Sequence, residues 1–188
     1  DIIDQEVENI LGVGVEIEYN VEVGKDVTLE QLKEKYDAVY LATGVWRAKK
    51  MRIDNEEANG VMSGLEFLKK VVKGEELNAG PKIAIVGGGN TAMDASRVAM
   101  RMGFDPVVVY RRTQAEMPAH SEEIQDAIDE GVKFEFLTAP QEAIEENGKL
   151  TGLKCQKMEL GAPDESGRRR PVPVEGSDFI MPVDTILS

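Results

Sequence analysis

The chain has 188 residues, 41% of them hydrophobic, and a formal net charge of −13. That length suits one domain, or one domain with part of another. Because an acidic surface repels phosphate backbones and anionic lipids, neither nucleic acid nor a membrane is an expected partner. The single cysteine, Cys155, excludes an internal disulfide and any cysteine-ligated metal or iron–sulfur site within these residues, and it favours the reducing cytoplasm as the location.

The first part of the sequence predicts two helices and two short strands. Apolar residues on one helical face predict a helix from Asp1 to Leu11. Thr28 and Gln31 form a capping-box pattern at the start of a second helix. The alternating stretch VEIEYNVEV and the apolar stretch DAVYLATG each predict a strand, and residues 45–62 are predicted to be loop.

The middle of the chain alternates between strand and helix patterns. After a helix capped by Ser63, with Glu66 completing a second capping box, three short apolar strands are separated by two helices. The strands are Ile83–Val86, PVVVYRR and KFEFL, and the helices are Asn90–Met102 and SEEIQDAIDEGV. This β-α-β-α-β order predicts a parallel, doubly wound sheet with right-handed connections.

The C-terminal part changes to an antiparallel pattern. Asn147-Gly148 lies between two alternating segments, which is typical of a β-hairpin. The stretch PDESGRRRPVPVEGSDF is predicted to be a loop that leads to a third antiparallel strand, with the Arg168–Arg170 run in solvent. PVDTILS predicts a last strand. The expected fold class is α/β, a Rossmann-like parallel sheet with helices plus an antiparallel β-meander.

The stretch KIAIVGGGNTAMDASRVAMRMG joins a strand to a helix through three consecutive glycines. It fits G-x-G-x-x-[GA], in which Gly87 allows the tight turn, Gly89 lets the backbone approach a pyrophosphate, and Ala92 lets the helix pack close to the strand. The helix N-terminus then offers free N–H groups to the phosphates. The strand–loop–helix context favours a dinucleotide site over a purely structural turn. The predicted contacts are Gly87, Gly88, Gly89, Asn90, Thr91 and Ala92.

The end of the next strand discriminates between NAD and NADP. An NAD site usually has an acidic residue there, about 20 residues past the glycines, to bind the ribose hydroxyls. Here the strand ends in Tyr110-Arg111-Arg112, and a guanidinium group suits the 2′-phosphate of NADP. Adjacent residues of a strand point in opposite directions, so the pattern leaves open whether Arg111 or Arg112 is the phosphate ligand.

Four stretches together resemble one family. YDAVYLATG, IAIVGGGNTAMDASRVAMRMG, VVVYRRTQAEMPAHSEEI and GRRRPVPVEGSDF are similar, in content and order, to the small (β) subunit of NADPH-dependent glutamate synthase and to related two-dinucleotide flavoproteins. The resemblance covers nearly the whole chain. It implies an NADP domain inserted into a split FAD domain. Residues 1–79 would be a partial FAD-domain segment with a linker helix, and residues 80–188 the NADP-binding Rossmann-like domain.

The resemblance also implies two further binding positions. Ala42-Thr43-Gly44 is similar to the motif that ends a strand of the FAD domain near the crossing to the NADP domain, although an ordinary strand end looks alike. Asp94 stands where a relative often has a glutamate facing the nicotinamide, or else it is an exposed acid that balances the helix dipole. Glu116-Met117-Pro118 marks the group but has no evident role beyond a turn.

The activity implied by the resemblance is hydride transfer from NADPH to FAD. The cofactors carry this chemistry, so no catalytic side chain and no metal ligand are expected in the chain. Electrons would pass through iron–sulfur clusters to a large glutamate synthase subunit, which makes glutamate from glutamine and 2-oxoglutarate. Two alternatives remain open. One is the same module serving ferredoxin or another acceptor protein, and the other is a non-catalytic nucleotide-binding regulatory domain.

The FAD site is expected to be incomplete within these residues. The sequence has one glycine-rich strand–helix turn, already assigned to NADP, and the family's FAD fingerprint and cluster-ligating cysteines are expected upstream. The chain is therefore expected to be part of a longer flavoprotein, to bind NADP(H) without FAD, and to lack activity by itself. Its expected partners are NADPH, the rest of its FAD domain and an electron-accepting subunit.

Overall fold

The computed structural model describes residues 2–44, 46, 48, 50–163, 165, 167 and 169–188. These form two compact units, Asp1–Gly44 and Val45–Ser188. The first unit contains the helices α1 (Ile2–Gly12) and α2 (Leu29–Lys35). Both helices were predicted, and α1 is confirmed from Ile2 onward, since Asp1 lies outside the described residues.

The capping box predicted at the start of α2 is confirmed. Thr28 Oγ1 accepts a hydrogen bond from the amide of Gln31 at 3.2 Å, and Gln31 Oε1 accepts one from the amide of Thr28 at 2.8 Å. Two of the amide groups that a helix N-terminus leaves unsatisfied are thereby paired.

The prediction of two strands in the first unit is wrong. VEIEYNVEV makes only an isolated bridge between Val23 and Val27, and DAVYLATG takes part in no strand pairing. None of the described residues in 2–44 is buried. An alternating pattern shows which side chains can face a core. A strand also needs a neighbouring strand that pairs its backbone groups, and the described residues 2–44 supply no such strand.

A five-stranded parallel sheet forms the centre of the second unit. Its strands are β1 (Val61–Met62), β2 (Lys82–Val86), β3 (Asp105–Tyr110), β4 (Lys133–Phe136) and β8 (Thr185–Leu187). They are ordered β1-β8-β2-β3-β4, and every neighbouring pair is parallel. The predicted β2–β3–β4 core is confirmed. The sequence missed β1, which lies in the stretch predicted to be loop.

Helices cover one face of this sheet, and a second, antiparallel sheet covers the other. The helices are α3 (Gly64–Lys73), α4 (Asn90–Arg101) and α5 (Ser121–Asp129), and the antiparallel strands are β5 (Thr138–Glu146), β6 (Lys149–Pro163) and β7 (Arg169–Met181). Along β2, Ile83 and Ile85 pack in the core on the helix side, whereas Ala84 packs in the core against β5 and β6. Because both faces are buried, β2 is apolar throughout its middle.

The antiparallel sheet has the order β5-β6-β7. Its first hairpin is confirmed at Asn147 and Gly148, whose φ values of 53° and 77° are those of a two-residue turn with two left-handed positions. The loop predicted before β7 is shorter than expected, because Arg169 and Arg170 already belong to the strand. Arg168 lies outside the described residues.

The predicted linker helix belongs to the sheet's helix layer. Phe67 of α3 is fully buried in the core that contains α4 and α5 residues, and β1 pairs with β8. Ser63 caps α3 by accepting from the amide of Glu66 at 3.0 Å, while the Glu66 carboxylate pairs with Lys70 instead of completing the predicted box. The structural boundary therefore falls after Gly44. The assignment of residues 1–79 to an FAD domain and 80–188 to an NADP domain remains a prediction.

Cys155 is a packing residue, as its alternating context predicts. Its side chain is fully buried against β5 and β6 neighbours, and burial raises the pKa of the thiol to about 12. Within the described ranges, no group of three or more His, Cys, Asp or Glu side chains is arranged to hold a metal ion. Every helix in the same ranges is too short or too polar to cross a membrane.

Candidate functional site

The glycine loop lies at the carboxyl end of β2. In the sheet, β2 lies between β3, the next strand along the chain, and β8, which comes last in the chain, so the direction of the strand order changes at β2. Ligands of open α/β sheets bind at such points. Gly87 has a φ of 142°, which glycine adopts without strain. Gly89 is the N-cap of α4, and an added Cβ there would meet no atom of the described residues within 4 Å. The space in front of Gly89 is therefore open to a ligand.

Consecutive backbone amides of this loop have no acceptor in the described part of the chain. They belong to Gly88, Gly89, Asn90 and Thr91. The first hydrogen bonds of α4 come from Ala92 and Met93, which both donate to the carbonyl oxygen of Gly89. The first turn of α4 carries no acidic residue. Unsatisfied amides at the positive end of a helix dipole are a binding site for anions such as phosphate groups.

The additional glycine of the loop, Gly88, is required by packing. A Cβ at this position would lie 2.7 Å from Cε2 of Tyr110. Tyr110 is buried, and its hydroxyl donates a hydrogen bond to the carbonyl oxygen of Glu116 at 2.8 Å. The tyrosine ring thus fills the space that a side chain at position 88 would need. The sequence signal for this contact is a third glycine that the G-x-G-x-x-A motif does not need.

Two hydrogen bonds connect the segment Thr113–His120 to the glycine loop. The amide of Ala119 donates to the carbonyl oxygen of Gly88 at 3.1 Å. The amide of His120 donates to Oδ1 of Asn90 at 3.0 Å. The side chain of Asn90, a predicted ligand contact, is thereby used to hold the protein's own backbone.

Glu116-Met117-Pro118 has a role that the sequence did not show. The amide of Thr113 donates to Oε2 of Glu116 at 3.1 Å, closing a short 3-10 turn. The hydrogen bonds from Thr113 hold the pKa of the Glu116 carboxyl below its usual range. Met117 is buried in the core on the helix side. These contacts fix the carbonyl that anchors Tyr110, and through Tyr110 they support the glycine loop.

Replacement of Gly88 by alanine tests this packing. The added methyl must displace the Tyr110 ring or the loop, and overpacking of this kind costs about 1–3 kcal/mol of unfolding free energy. The expected loss is measured by denaturant unfolding. Gly89→Ala is the control for a methyl group that contacts no described residue, and its own loss, from the N-cap position, is expected to be about 1 kcal/mol at most and smaller than that of Gly88→Ala. Equal losses in the two variants would contradict the role given to Tyr110.

Two adjacent cavities flank the glycine loop. The larger one, of about 320 Å³, is lined by Gly87 and Arg111 and by the apolar residues Met51, Val86, Val109, Tyr110, Ala139 and Pro140. The smaller one, of about 160 Å³, shares Val86 and Gly87 with the first and continues past Gly89 and Thr91 to Gly64 and Ser188. An elongated ligand lying across the carboxyl edge of the sheet would pass from one cavity to the other in front of the glycine loop.

The two predicted arginines have different environments. Arg111 is exposed, lines the larger cavity, and has no hydrogen-bond or ion-pair partner among the residues that the structure describes. Arg112 is only 6% exposed, and its Nε donates to the carbonyl oxygen of Arg169 at 2.7 Å. The guanidinium of Arg111 is therefore the one presented to the cavity, while that of Arg112 ties the end of β3 to β7.

The structure gathers part of the predicted site. The predicted residues that line the two cavities are Gly87, Gly89, Thr91, Ala92 and Arg111. Asp94 lines neither cavity and lies near Glu123 and Arg97; partial burial and the charge of Glu123 raise the pKa of its carboxyl. Ala42-Thr43-Gly44 belongs to the first compact unit. The roles assigned to Asp94 and to Ala42-Thr43-Gly44 remain predictions.

The chain is similar in sequence to several oxidoreductase subunits. It is 42% identical over 191 residues to the NADPH-Fe(3+) oxidoreductase subunit beta of Geobacter sulfurreducens, covering 99% of this chain and 28% of that protein. It is 44% identical to the NADP(+)-dependent formate dehydrogenase subunit beta of Moorella thermoacetica, and the match covers 100% of this chain and 27% of that protein. It is 38% identical to the glutamate synthase (NADPH) small chain of Escherichia coli, and the match covers 94% of this chain and 40% of that protein. The chain thus spans less than half the length of these relatives.

A solved structure shows the same fold. Mycobacterium tuberculosis FprA in complex with NADPH superimposes with a TM-score of 0.75 at 21% identity, over 89% of this chain and 52% of that one. The α/β fold, a parallel sheet with helices plus an antiparallel sheet, is thereby confirmed. The sequence relatives confirm the resemblance to the glutamate synthase small subunit and related NADPH oxidoreductase subunits.

The family model for pyridine nucleotide-disulphide oxidoreductases matches residues 2–166. The family description and the names of the relatives support NADP(H) and FAD as cofactors of the family. With a match over most of its length, the chain belongs to the pyridine nucleotide-disulphide oxidoreductase family.

Proposed function

We propose that the second unit binds NADP(H) across the carboxyl edge of its parallel sheet. The observation that carries this proposal is a run of amides, from Gly88 to Thr91, and a guanidinium, that of Arg111, none of which has a partner among the described residues. The amides and the α4 dipole suit a pyrophosphate. Arg111 suits a 2′-phosphate, because a guanidinium forms charge-assisted, bidentate hydrogen bonds to phosphate oxygens.

The two cavities suit the two halves of the cofactor. The described residues that line the larger cavity are mostly apolar and include the cation Arg111, and these are the features needed by a purine and its phosphorylated ribose. The smaller cavity, on the far side of Gly87, is then assigned to the nicotinamide half. It extends along the N-terminal turns of α4 and α3, at Thr91 and Gly64.

The proposed chemistry is hydride transfer between nicotinamide and FAD, which the two cofactors supply. The chain's residues bind and orient the cofactors and provide no reacting group. Cys155, its one thiol, is buried, and burial keeps the thiol protonated at neutral pH by raising its pKa to about 12. Ala42-Thr43-Gly44 is proposed as an edge of the FAD site in the longer protein.

We propose that the electrons taken from NADPH are used for the synthesis of glutamate. Iron–sulfur clusters would carry them to a large glutamate synthase subunit, which converts glutamine and 2-oxoglutarate to glutamate. Similarity to the E. coli glutamate synthase small chain supports this assignment. Relatives named for Fe(3+) and for formate show higher identity, and they support the alternative in which the same module serves another electron-accepting protein.

Calorimetric titration of the chain tests the cofactor assignment. NADPH is expected to bind more tightly than NADH by about 1.5–3 kcal/mol, the usual contribution of a hydrogen bond to a charged group. Equal affinities would contradict the role of Arg111. A chain that binds neither dinucleotide would contradict the proposed site. A chain that binds NADPH within a longer protein that transfers no hydride would favour a regulatory domain.

A further inference from the structure

One wall of the larger cavity comes from an unexpected part of the chain. Of the described residues that line this cavity, Met51 alone precedes β1. It lies in the stretch predicted to be loop and outside residues 80–188, where the dinucleotide domain was expected. Its side chain is half-buried and packs against the core shared by the two sheets.

The loop that carries Met51 is anchored to β5. The amide of Asp54 donates to the carbonyl oxygen of Gln141 at 2.9 Å, and the amide of Ala143 donates to the carbonyl oxygen of Asp54 at 3.0 Å. Nδ2 of Asn55 donates to the carbonyl oxygen of Ala143 at 3.0 Å. The loop therefore has a defined position relative to the strand whose first residues form another part of the cavity wall.

Glu56 fixes the backbone of Met51 itself. Its Oε1 accepts from the amide of Met51 at 2.7 Å, and its Oε2 accepts from the amide of Arg52 at 3.0 Å. Arg52 has a φ of 62°, a left-handed conformation that is unfavourable for a residue with a side chain. One carboxylate thus holds two consecutive amides across a strained turn, and this sets the direction in which the Met51 side chain leaves the backbone.

We propose that Met51 is a binding residue for the purine of the dinucleotide and that Glu56 is the residue that positions it. A methionine adapts to the shape of a flat ligand, and its sulfur makes favourable contacts with aromatic rings. Met51 and Arg111 line the same cavity, so one would contact the purine while the other holds the 2′-phosphate. The inference rests on the proposed NADP(H) site and adds a specificity element from outside the predicted dinucleotide domain.

The test uses the two halves of the cofactor as separate probes. Adenosine 2′,5′-bisphosphate and nicotinamide mononucleotide are titrated against the wild-type chain and against Met51→Ala, Met51→Leu and Met102→Ala. Met51→Ala is expected to weaken bisphosphate binding by about 5- to 10-fold and to leave mononucleotide binding unchanged. Met51→Leu, of similar volume, should keep most of the affinity. Met102 is an exposed methionine that lines neither cavity, and its replacement should change nothing.

The role of Glu56 is tested through Met51. Glu56→Ala is expected to weaken bisphosphate binding in the wild-type background but to have little further effect when combined with Met51→Ala, because both changes remove the same contact. If Glu56→Ala does not fold, Glu56→Gln keeps one acceptor oxygen and serves in its place. Additive losses in the double variant would show that Glu56 does not act through Met51 and would overturn the positioning role.

The outcomes separate this inference from the proposed function. A wild-type chain that does not bind the bisphosphate overturns the proposed NADP(H) site. A wild-type chain that binds it, together with a folded Met51→Ala variant of unchanged affinity, leaves the site in place and overturns the role of Met51. Equal weakening of the bisphosphate and the mononucleotide by Met51→Ala would also overturn it, since it would indicate a general disturbance of the loop.

Discussion

Replacement of Gly89 by valine is expected to abolish NADP(H) binding while the fold survives. Gly89 has φ −92° and ψ 174°, a conformation that valine adopts readily. In the part of the chain that the structure describes, no atom lies within 4 Å of the added Cβ. The branched side chain would instead occupy the space in front of the amides of Gly88 to Thr91, where the pyrophosphate is proposed to lie. The expected loss of affinity is at least about 100-fold, or about 2.8 kcal/mol.

The controls for this variant separate binding from folding. Gly12→Val also places its side chain in open space, but in α1, and it should leave the affinity unchanged. Gly89→Ala, with a smaller side chain, should lie between wild type and valine. Loss of a favourable N-cap glycine is expected to lower the unfolding free energy by about 1 kcal/mol at most. A folded Gly89→Val chain that binds NADPH with the original affinity would show that this loop is not the phosphate site.

The parts of the fold that the sequence predicted correctly are those set by local signals. Gly87 requires a left-handed backbone, and Asn147-Gly148 requires a turn with two such positions, so both are readable from residue type alone. The buried strands β2 and β3 are predicted by short runs of β-branched residues between turn signals. The same local rules fail for VEIEYNVEV, because alternation shows what can be buried and does not supply the neighbouring strand.

The parts of the site that were missed depend on contacts between distant segments. Tyr110 explains the third glycine, and the link becomes visible only once β3 lies beside β2. Met51 reaches the larger cavity because its loop pairs with β5, which no local pattern indicates. Strand alternation predicted that the two arginines point apart, but the choice between them depends on the carbonyl oxygen of Arg169, which Arg112 binds.

Replacement of Arg111 by alanine is expected to remove most of the preference for NADPH over NADH. The loss of one charge-assisted contact should weaken NADPH binding by about 1.5–3 kcal/mol, or about 10- to 150-fold, because each 1.4 kcal/mol is a factor of ten. NADH, which has no 2′-phosphate, should bind as before. Since Arg111 is exposed and has no partner among the described residues, the unfolding free energy should change little.

Arg112→Ala is expected to show the opposite pattern. Arg112 is 6% exposed and its Nε donates to the carbonyl oxygen of Arg169, so replacing it by alanine removes this hydrogen bond and leaves a cavity where the buried side chain packed. The unfolding free energy should fall by about 1–3 kcal/mol, whereas the ratio of NADPH to NADH affinity should stay near the wild-type value. Titration with both dinucleotides and denaturant unfolding measure the two quantities separately. The contrary result is loss of the cofactor preference in a stable Arg112→Ala chain, with the preference retained in Arg111→Ala. That result would make Arg112 the phosphate ligand, although Arg112 is buried and Arg111 lines the larger cavity.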